Sequence, residues 1–394
     1  MTALVLAWLS FAFRFADGIT VGPVMPRMLE IFDMTRAQGG SLISIGYLGG
    51  ILATIPAGIM VDRFGYRKVL MGSVFCVVVG CILMTTMSSY SEGFIYRFIS
   101  GVGAGGIVPS GNKAAFDWFS AKSRGKAVAF FLTGTNAGLI VANMTVPRVV
   151  ANYNWNTPWF IWATVCSIIL VVSFFVLREN PANSASASGR PVMTMGQILK
   201  SFAGLLKNRN VMVIAFTGAG FMWANVGTQS WTNTYMNKHL NIPLITAGYL
   251  VTTYAIVGLL SKFMSGAIID RVSSRKAVLA TLMLFYGAVL VWFGSNQIPW
   301  MLYLLVPLMG MANALPSPVL NVIAMESVAP QIRGTTIALC SLIYNIGSTL
   351  CPIAVGKVVD LTGGNYAYVF LTIAAGPLFG GTLAAIGLKS YQKP

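Results

Sequence analysis

The chain has 394 residues, of which 56% are hydrophobic and 9% are charged, and its formal net charge is +16. About a quarter of the residues of a soluble globular domain are charged, so this composition excludes such a domain and favours a protein embedded in a lipid bilayer. A strongly basic chain also suggests a nucleic-acid partner, but the distribution of the charges argues against one.

Twelve stretches of the sequence have the length that a transmembrane helix needs. In chain order they are residues 4–26, 38–60, 68–88, 93–116, 125–147, 157–177, 211–232, 244–268, 277–294, 299–325, 334–357 and 366–388. A polar segment at 178–210 separates the sixth stretch from the seventh and predicts a flexible cytoplasmic linker. The sequence therefore predicts an all-α membrane protein with one six-helix bundle at 1–177 and another at 211–394.

Basic residues are unevenly distributed among the predicted loops. One side of the membrane carries Arg63, Arg67, Lys68, Lys122, Arg124, Lys126, Arg178, Arg190, Lys200, Lys207, Arg209, Arg271, Arg275, Lys276, Arg333, Lys389 and Lys393. The other side carries only Arg27, Arg36, Arg148, Lys238 and Lys357. Because the basic side is the cytoplasmic one, both termini are expected in the cytoplasm of a multi-pass bacterial inner-membrane protein.

The two halves repeat each other. The residues Gly58, Asp62, Arg63, Arg67 and Lys68 recur 208 positions later as Gly266, Asp270, Arg271, Arg275 and Lys276. The residues Gly101, Pro109, Asp117 and Arg124 recur 209 positions later as Gly310, Pro318, Glu326 and Arg333. Such a register predicts two pseudo-symmetric bundles, with a binding site between the halves and transport by alternating access.

Two motifs identify a family. The run Gly58-Ile-Met-Val-Asp-Arg-Phe-Gly-Tyr-Arg-Lys68 resembles the signature loop between helices 2 and 3 of the major facilitator superfamily. The run Arg97-Phe-Ile-Ser-Gly-Val-Gly-Ala-Gly105 resembles its second motif, which is associated with proton coupling. The resemblance covers essentially the whole chain and implies the major facilitator fold.

A finer resemblance is to the anion:cation symporter family, which carries organic anions with protons or sodium. It rests on Asp17 followed by Pro26, on Trp231-Thr-Asn-Thr-Tyr-Met236, and on Ala247-Gly248. The chain departs from that family where Gly18 replaces the arginine that usually follows the helix 1 aspartate, and where Ala104 replaces an acidic residue of some members. The substrate and the coupling ion therefore stay open.

Asp17 is the candidate proton-coupling residue. Of the ten acidic residues, it alone lies deep in a predicted helix, where an ionisable group is costly and marks a functional site. The family resemblance adds Arg97, at roughly the same predicted depth. The alternative is a structural ion pair between Asp17 and Arg14, three residues away on the same helix face.

Arg14 and Lys262 are the candidate anion-binding bases. Both lie inside predicted spans at similar depth, one in each half, and an arginine fork with a lysine charge suits a carboxylate. The alternative for Lys262 is a side chain that extends to the cytoplasmic surface. Asn225 and Gln229 are further candidates for substrate binding, while Trp231 and Tyr235 either line a cavity or belong to an outer aromatic belt.

Repeated charges at the predicted cytoplasmic helix ends form two candidate gates. They are Asp62, Arg63, Arg67, Asp117 and Arg124 in the first half, and Asp270, Arg271, Arg275, Glu326 and Arg333 in the second. On the resemblance, opposite charges there lock one transport state and release in the other. Lys113, one turn before Asp117, is expected to be a gate or surface residue. The alternative is that these charges only set the topology.

The sequence predicts a transporter and not an enzyme. A single histidine, His239, allows no histidine-based triad or metal cluster, and no nucleotide-binding loop is present, so neither a metal nor a cofactor is expected. The favoured function is proton symport of a small organic anion by a monomer in the lipid bilayer. Sodium is the alternative coupling ion. The alternatives are a proton-coupled multidrug exporter, a sugar transporter and a receptor without transport activity.

Overall fold

The computed structural model describes residues 2–120, 123–179, 204–271, 274–328 and 332–388, with the side chains of residues 263–271, 333 and 334 excepted. Within these residues the secondary structure is helical, without strands. By contacts between residues the chain divides into two compact units, which are described separately. Unit 1 comprises Met1–Met34 and Ser41–Val192, and unit 2 comprises Thr35–Gly40 and Met193–Pro394.

The helices of the first half are α1 (Thr2–Ile31), α2 (Arg36–Phe64), α3 (Tyr66–Thr85), α4 (Tyr90–Trp118), α5 (Arg124–Leu132), α6 (Gly134–Asn152) and α7 (Thr157–Val176). Those of the second half are α8 (Arg209–Lys238), α9 (Leu244–Arg271), α10 (Arg275–Ser295), a 3₁₀ turn (Pro299–Met301), α11 (Leu302–Ala314), α12 (Pro316–Glu326), α13 (Arg333–Leu361) and α14 (Tyr368–Gly387).

Eleven helical segments among the described residues are long and apolar enough to cross a bilayer. The other predicted span is α4, whose 29 residues include four charged side chains, namely Glu92, Arg97, Lys113 and Asp117. These charges lower the hydropathy of α4 without shortening it. The all-helical membrane fold expected from the sequence is confirmed.

Two predicted spans are broken near their middle. The span at 125–147 divides into α5 and α6 at Thr133, whose hydroxyl donates to Phe130 O at 2.7 Å and accepts from Trp8 Nε1 at 3.0 Å. The span at 299–325 divides into α11 and α12 at Leu315, because Pro316 has no backbone N–H to continue the helix. Each half therefore contains one interrupted span.

In unit 1, α1 packs against α4, α6 and α7, while α3 packs against α4 and α7. Gly101 of α4 lies against Gly46 of α2 so closely that a Cβ at position 101 would come within 2.3 Å of Gly46 O. Trp162 of α7 is buried and donates to Thr20 of α1 at 2.8 Å. These contacts fix the middle of α1 and α4, where the candidate coupling residues lie.

In unit 2, α8 packs against α13 and α14, α10 packs against α14, and α9 packs against α11. Tyr235 forms an aromatic cluster with Phe293 and Phe370, in which ring centroids lie 4.5–5.6 Å apart. Tyr235 and Trp231 are both fully buried, so neither belongs to a lipid-facing aromatic belt. The same unit includes the start of α2, where the backbone N–H groups of Arg36 and Ala37 donate to Asp360 at 3.1 and 2.8 Å.

Candidate functional site

Asp17 of α1 and Arg97 of α4 form a buried ion pair. Arg97 Nη1 donates to Asp17 Oδ1 at 2.8 Å, and the two side chains are 1% and 0% exposed. The same guanidinium also donates to two backbone oxygens of α1, those of Asp17 at 3.4 Å and Gly18 at 3.2 Å. Arg97 is therefore held by the carboxylate and by the backbone around it.

Ser100 holds the second oxygen of the same carboxylate. Its hydroxyl donates to Asp17 Oδ2 at 2.5 Å, and the side chain is fully buried. Ser100 follows Arg97 by one helical turn, so both side chains leave the same face of α4. This spacing of three residues is a sequence signal that could have identified Ser100, which the sequence analysis missed.

Arg14 lies one turn before Asp17 on α1, within electrostatic range of Asp17, Arg97 and Tyr47. A Cβ built at Gly18 would come within 2.5 Å of Arg14 Nη1, so the guanidinium lies along the surface of α1. Its Nε is buried and has no hydrogen-bond partner among the described residues. The Asp17 carboxylate accepts hydrogen bonds from Arg97 and Ser100, and the thiol of Cys81 also lies beside it. Arg14, Asp17 and Arg97 together carry one surplus positive charge.

Unit 2 contains a neutral polar cluster between α8, α9, α10 and α11. Asn225 Nδ2 donates to Asn313 Oδ1 at 3.0 Å, and Gln229 Nε2 donates to Asn225 Oδ1 at 3.2 Å. Tyr254 lies beside Gln229 and Asn313, and Tyr286 lies beside Tyr254. The structure therefore brings together the two predicted amides and adds three residues that sequence analysis missed.

Two polar atoms of this cluster are buried without a partner in the part of the chain that the structure describes. They are Gln229 Oε1 and Tyr254 Oη. Tyr254 lies beside Gln229, so its hydroxyl can donate to the amide oxygen, or both atoms can bond to a polar ligand that enters between them. Lys262 lies two turns after Tyr254 on α9, with an exposed side chain.

The candidate gate residues of the first half occupy the ends of α2, α3, α4 and α5. Asp62 and Arg63 are exposed, and Arg67 Nη2 donates to Phe174 O at 2.7 Å. The described contacts of Asp117 include an ion pair with Lys113 at 3.7 Å, one turn earlier on α4. The Arg124 guanidinium donates to Phe119 O at 3.1 Å and lies over the ring of Phe116.

In the second half, Arg275 at the start of α10 forms an ion pair with Glu326 at the end of α12. A base at a helix N-terminus and an acid at a helix C-terminus each oppose their own helix dipole, so the pairing offsets both. The side chains of Asp270, Arg271 and Arg333 lie outside the described residues.

Among the described residues, no group of three or more histidine, cysteine, aspartate or glutamate side chains is arranged to hold a metal ion.

Known proteins similar to this chain are transporters. The chain is 23% identical over 407 residues to the cis,cis-muconate transport protein of Acinetobacter baylyi, covering 99% of this chain and 94% of that protein. It is 24% identical over 386 residues to the multidrug resistance protein MdtG of Salmonella paratyphi C, covering 95% of this chain and 93% of that one.

Solved structures show the same fold. A bacterial homologue of the human lysosomal transporter Spinster aligns with a TM-score of 0.77 and 16% identity, over 97% of this chain and 94% of that chain. The nucleoside transporter NupG aligns with a TM-score of 0.81 and 15% identity, over 98% and 99%. The model of the family described as Major Facilitator Superfamily matches residues 7–251 and 216–391. This chain belongs to the Major Facilitator Superfamily.

Proposed function

We propose that the protein is a secondary transporter that carries a small organic anion together with protons across the bacterial cytoplasmic membrane, by alternating access and as a monomer with both termini in the cytoplasm. The observation that carries this proposal is the surplus positive charge of Arg14, Asp17 and Arg97 in unit 1, where the side chain of Arg14 is half-buried. Arg97 is paired with Asp17, whereas Arg14 keeps a buried Nε without a hydrogen-bond partner among the described residues.

A surplus charge that is partly withdrawn from water is costly, and a bound carboxylate is the simplest partner that would offset it. The guanidinium fork of Arg14 matches a carboxylate with two parallel hydrogen bonds. For unit 2 we propose, on the family resemblance, that Asn225, Gln229 and Lys262 bind substrate, the two amides by hydrogen bonds and Lys262 by its positive charge. These assignments follow the family resemblance and the chemistry of the two clusters.

The contacts of Asp17 support proton coupling as part of this proposal. Protonation removes its negative charge and with it the ion pair to Arg97, so the guanidinium becomes available to a substrate anion. Binding of the proton then raises the affinity for the anion, and by linkage the anion raises the affinity for the proton by the same factor. This reciprocity is what symport requires. Sodium in place of the proton would need to bind the same carboxylate.

The relatives favour an organic anion but leave a second candidate. The protein named for cis,cis-muconate transport indicates a carboxylate substrate, and it supports the anion proposal. The relatives named MdtG favour a proton-coupled multidrug exporter. A cationic drug in unit 1 would meet the surplus positive charge of Arg14 and Arg97 and a carboxylate already engaged by Arg97 and Ser100, so we place the exporter second.

Transport by purified protein in proteoliposomes tests the proposal. An inward proton gradient is imposed over vesicles that contain a pH dye, and cis,cis-muconate, other carboxylates, sulfonates, sugars and organic cations are added separately. We expect uptake of anions with acidification of the interior, and loss of both in Asp17→Asn. The matched control is Asp33→Asn, the same change in an exposed turn with φ 47°, which asparagine tolerates.

Two other outcomes would replace the proposal. Proton exit that accompanies entry of organic cations would establish drug antiport and leave Arg14 and Lys262 as structural residues. Anion uptake driven by an inward sodium gradient, without acidification of the interior, would keep the substrate class and change the coupling ion.

A further inference from the structure

A groove of about 470 Å³ runs along the outside of unit 1 between α3 and α7. Its walls include Met71 and Phe75 of α3 and Val171, Phe174 and Phe175 of α7. The three phenylalanine side chains are 57%, 58% and 74% exposed. This volume lies within the range of small-molecule binding sites, and the walls are almost entirely apolar.

A glycine keeps the groove open. Gly72 lines it, and a Cβ built at this position would meet no atom within 4 Å. Glycine in a helix interior destabilises the helix by about 1 kcal/mol relative to alanine, and no close contact with another helix requires it here. The residues Lys68, Met71, Gly72 and Phe75 follow the helical spacing i, i+3, i+4, i+7, so together they form one continuous face of α3.

The groove is basic at one end. Lys68, the third residue of α3, is exposed and lines that end. Arg67 precedes it and Arg178 is exposed just beyond the end of α7. Glu179 accepts from the backbone N–H of Arg67 at 3.4 Å and lies beside Gly65, and Asp117 lies within electrostatic range of Tyr66. Asp117 is paired with Lys113, so Arg67, Lys68 and Arg178 beside Glu179 leave this end positively charged.

We propose that this groove is a binding site for one anionic phospholipid, with an acyl chain along Gly72 and Phe75 and the phosphate headgroup at Lys68. The charge pattern decides the occupant, because an apolar groove that ends at exposed bases matches a lipid with an anionic head. The predicted topology places the basic end at the cytoplasmic surface. The lipid therefore belongs to the cytoplasmic leaflet, where anionic headgroups attract basic residues next to the membrane.

Two variants separate the acyl-chain contact from the headgroup contact. Gly72→Leu fills the groove, and the empty space around Gly72 lets the variant fold. Lys68→Gln removes one charge and leaves the groove open. Lys276→Gln is the matched control, because Lys276 is the repeat counterpart of Lys68 at the start of α10. Purified proteins are delipidated stepwise, mixed with phosphatidylglycerol or phosphatidylcholine, and examined by native mass spectrometry.

We expect the unchanged protein and Lys276→Gln to retain one phosphatidylglycerol preferentially over phosphatidylcholine. Gly72→Leu should lower the affinity for phosphatidylglycerol by about tenfold, because excluding two methylene groups has that effect. Lys68→Gln should lower it by about fivefold and reduce the preference for the anionic lipid. Equal retention of both lipids, or identical retention by all variants, would overturn the proposal. A protein dimer that dissociates in Gly72→Leu would also overturn it, since a second copy would then occupy the groove.

Discussion

Arg97 and Asp17 are paired across 80 positions of sequence by a 2.8 Å hydrogen bond inside unit 1, and Ser100 donates to the remaining carboxylate oxygen. The ion pair therefore joins α1 to α4 instead of joining two turns of α1. A pair between neighbouring helices can be formed and broken by a proton on Asp17. The first prediction tests this relationship.

Asp17→Asn is expected to abolish accumulation driven by a proton gradient while retaining exchange of labelled for unlabelled substrate. The amide has the shape and neutrality of the protonated carboxyl group, so the variant resembles the protonated carrier in every state. The measurement compares uphill uptake with exchange at equal substrate concentrations on both sides of the vesicle membrane. Retained uphill uptake would show that coupling does not depend on Asp17.

Arg14→Gln is expected to raise the KM for the anion by about ten- to a hundredfold, because hydrogen bonds to charged groups contribute roughly 1.5–3 kcal/mol. Arg14→Lys keeps the positive charge but loses the planar guanidinium fork. Its KM should therefore lie between those of the unchanged protein and Arg14→Gln. The control is Arg148→Gln, an exposed arginine of α6. If Arg14→Gln and Arg148→Gln have the same KM in initial-rate uptake assays, Arg14 does not bind the substrate.

Gln229→Ala is expected to raise the KM by about three- to tenfold, the effect of one neutral hydrogen bond. The melting temperature should fall modestly, because the change also removes the hydrogen bond from Gln229 Nε2 to Asn225 Oδ1 at 3.2 Å. The exposed Gln297 provides the control Gln297→Ala. A large fall in melting temperature with an unchanged KM would assign Gln229 to folding alone.

Glu326→Arg replaces the ion pair between Arg275 and Glu326 by two facing arginines. Because this pair is partly exposed and contributes modestly, its loss should slow substrate exchange about threefold or more. The double variant Arg275→Glu with Glu326→Arg restores opposite charges and should recover most of the rate. Substrate exchange in proteoliposomes measures both. If the double variant is no faster than Glu326→Arg, the pair itself does not govern the conformational step.

Gly101→Ala should destabilise unit 1, because its Cβ would come within 2.3 Å of Gly46 O and force α2 and α4 apart. Overpacking of this kind costs about 1–3 kcal/mol. Gly72→Ala is the matched control in α3, and it should be neutral or stabilising since its Cβ meets no atom within 4 Å. Thermal unfolding in detergent distinguishes the two. Equal melting temperatures would contradict the close approach at Gly101.

Much of this protein followed from its sequence alone. Long apolar stretches can satisfy their backbone groups in lipid only as helices, so the all-helical membrane fold was predictable. The registered repeat of Asp62 with Asp270 and of Gly101 with Gly310 predicted two related halves. Asp17 was recognisable because an acid in the middle of an apolar stretch is rare and costly.

The tertiary structure decided the partners. Arg14 was near Asp17 in sequence, yet the carboxylate receives hydrogen bonds from Arg97 and Ser100, because packing of α1 against α4 aims those side chains at it. Tyr254 and Asn313 joined Gln229 and Asn225 only through the packing of α8, α9 and α11. Periodicity tells which face of a helix is apolar, but it carries no information on which distant helix covers that face. The contacts that give these buried polar groups their chemistry are therefore decided by packing between helices that are far apart in the chain.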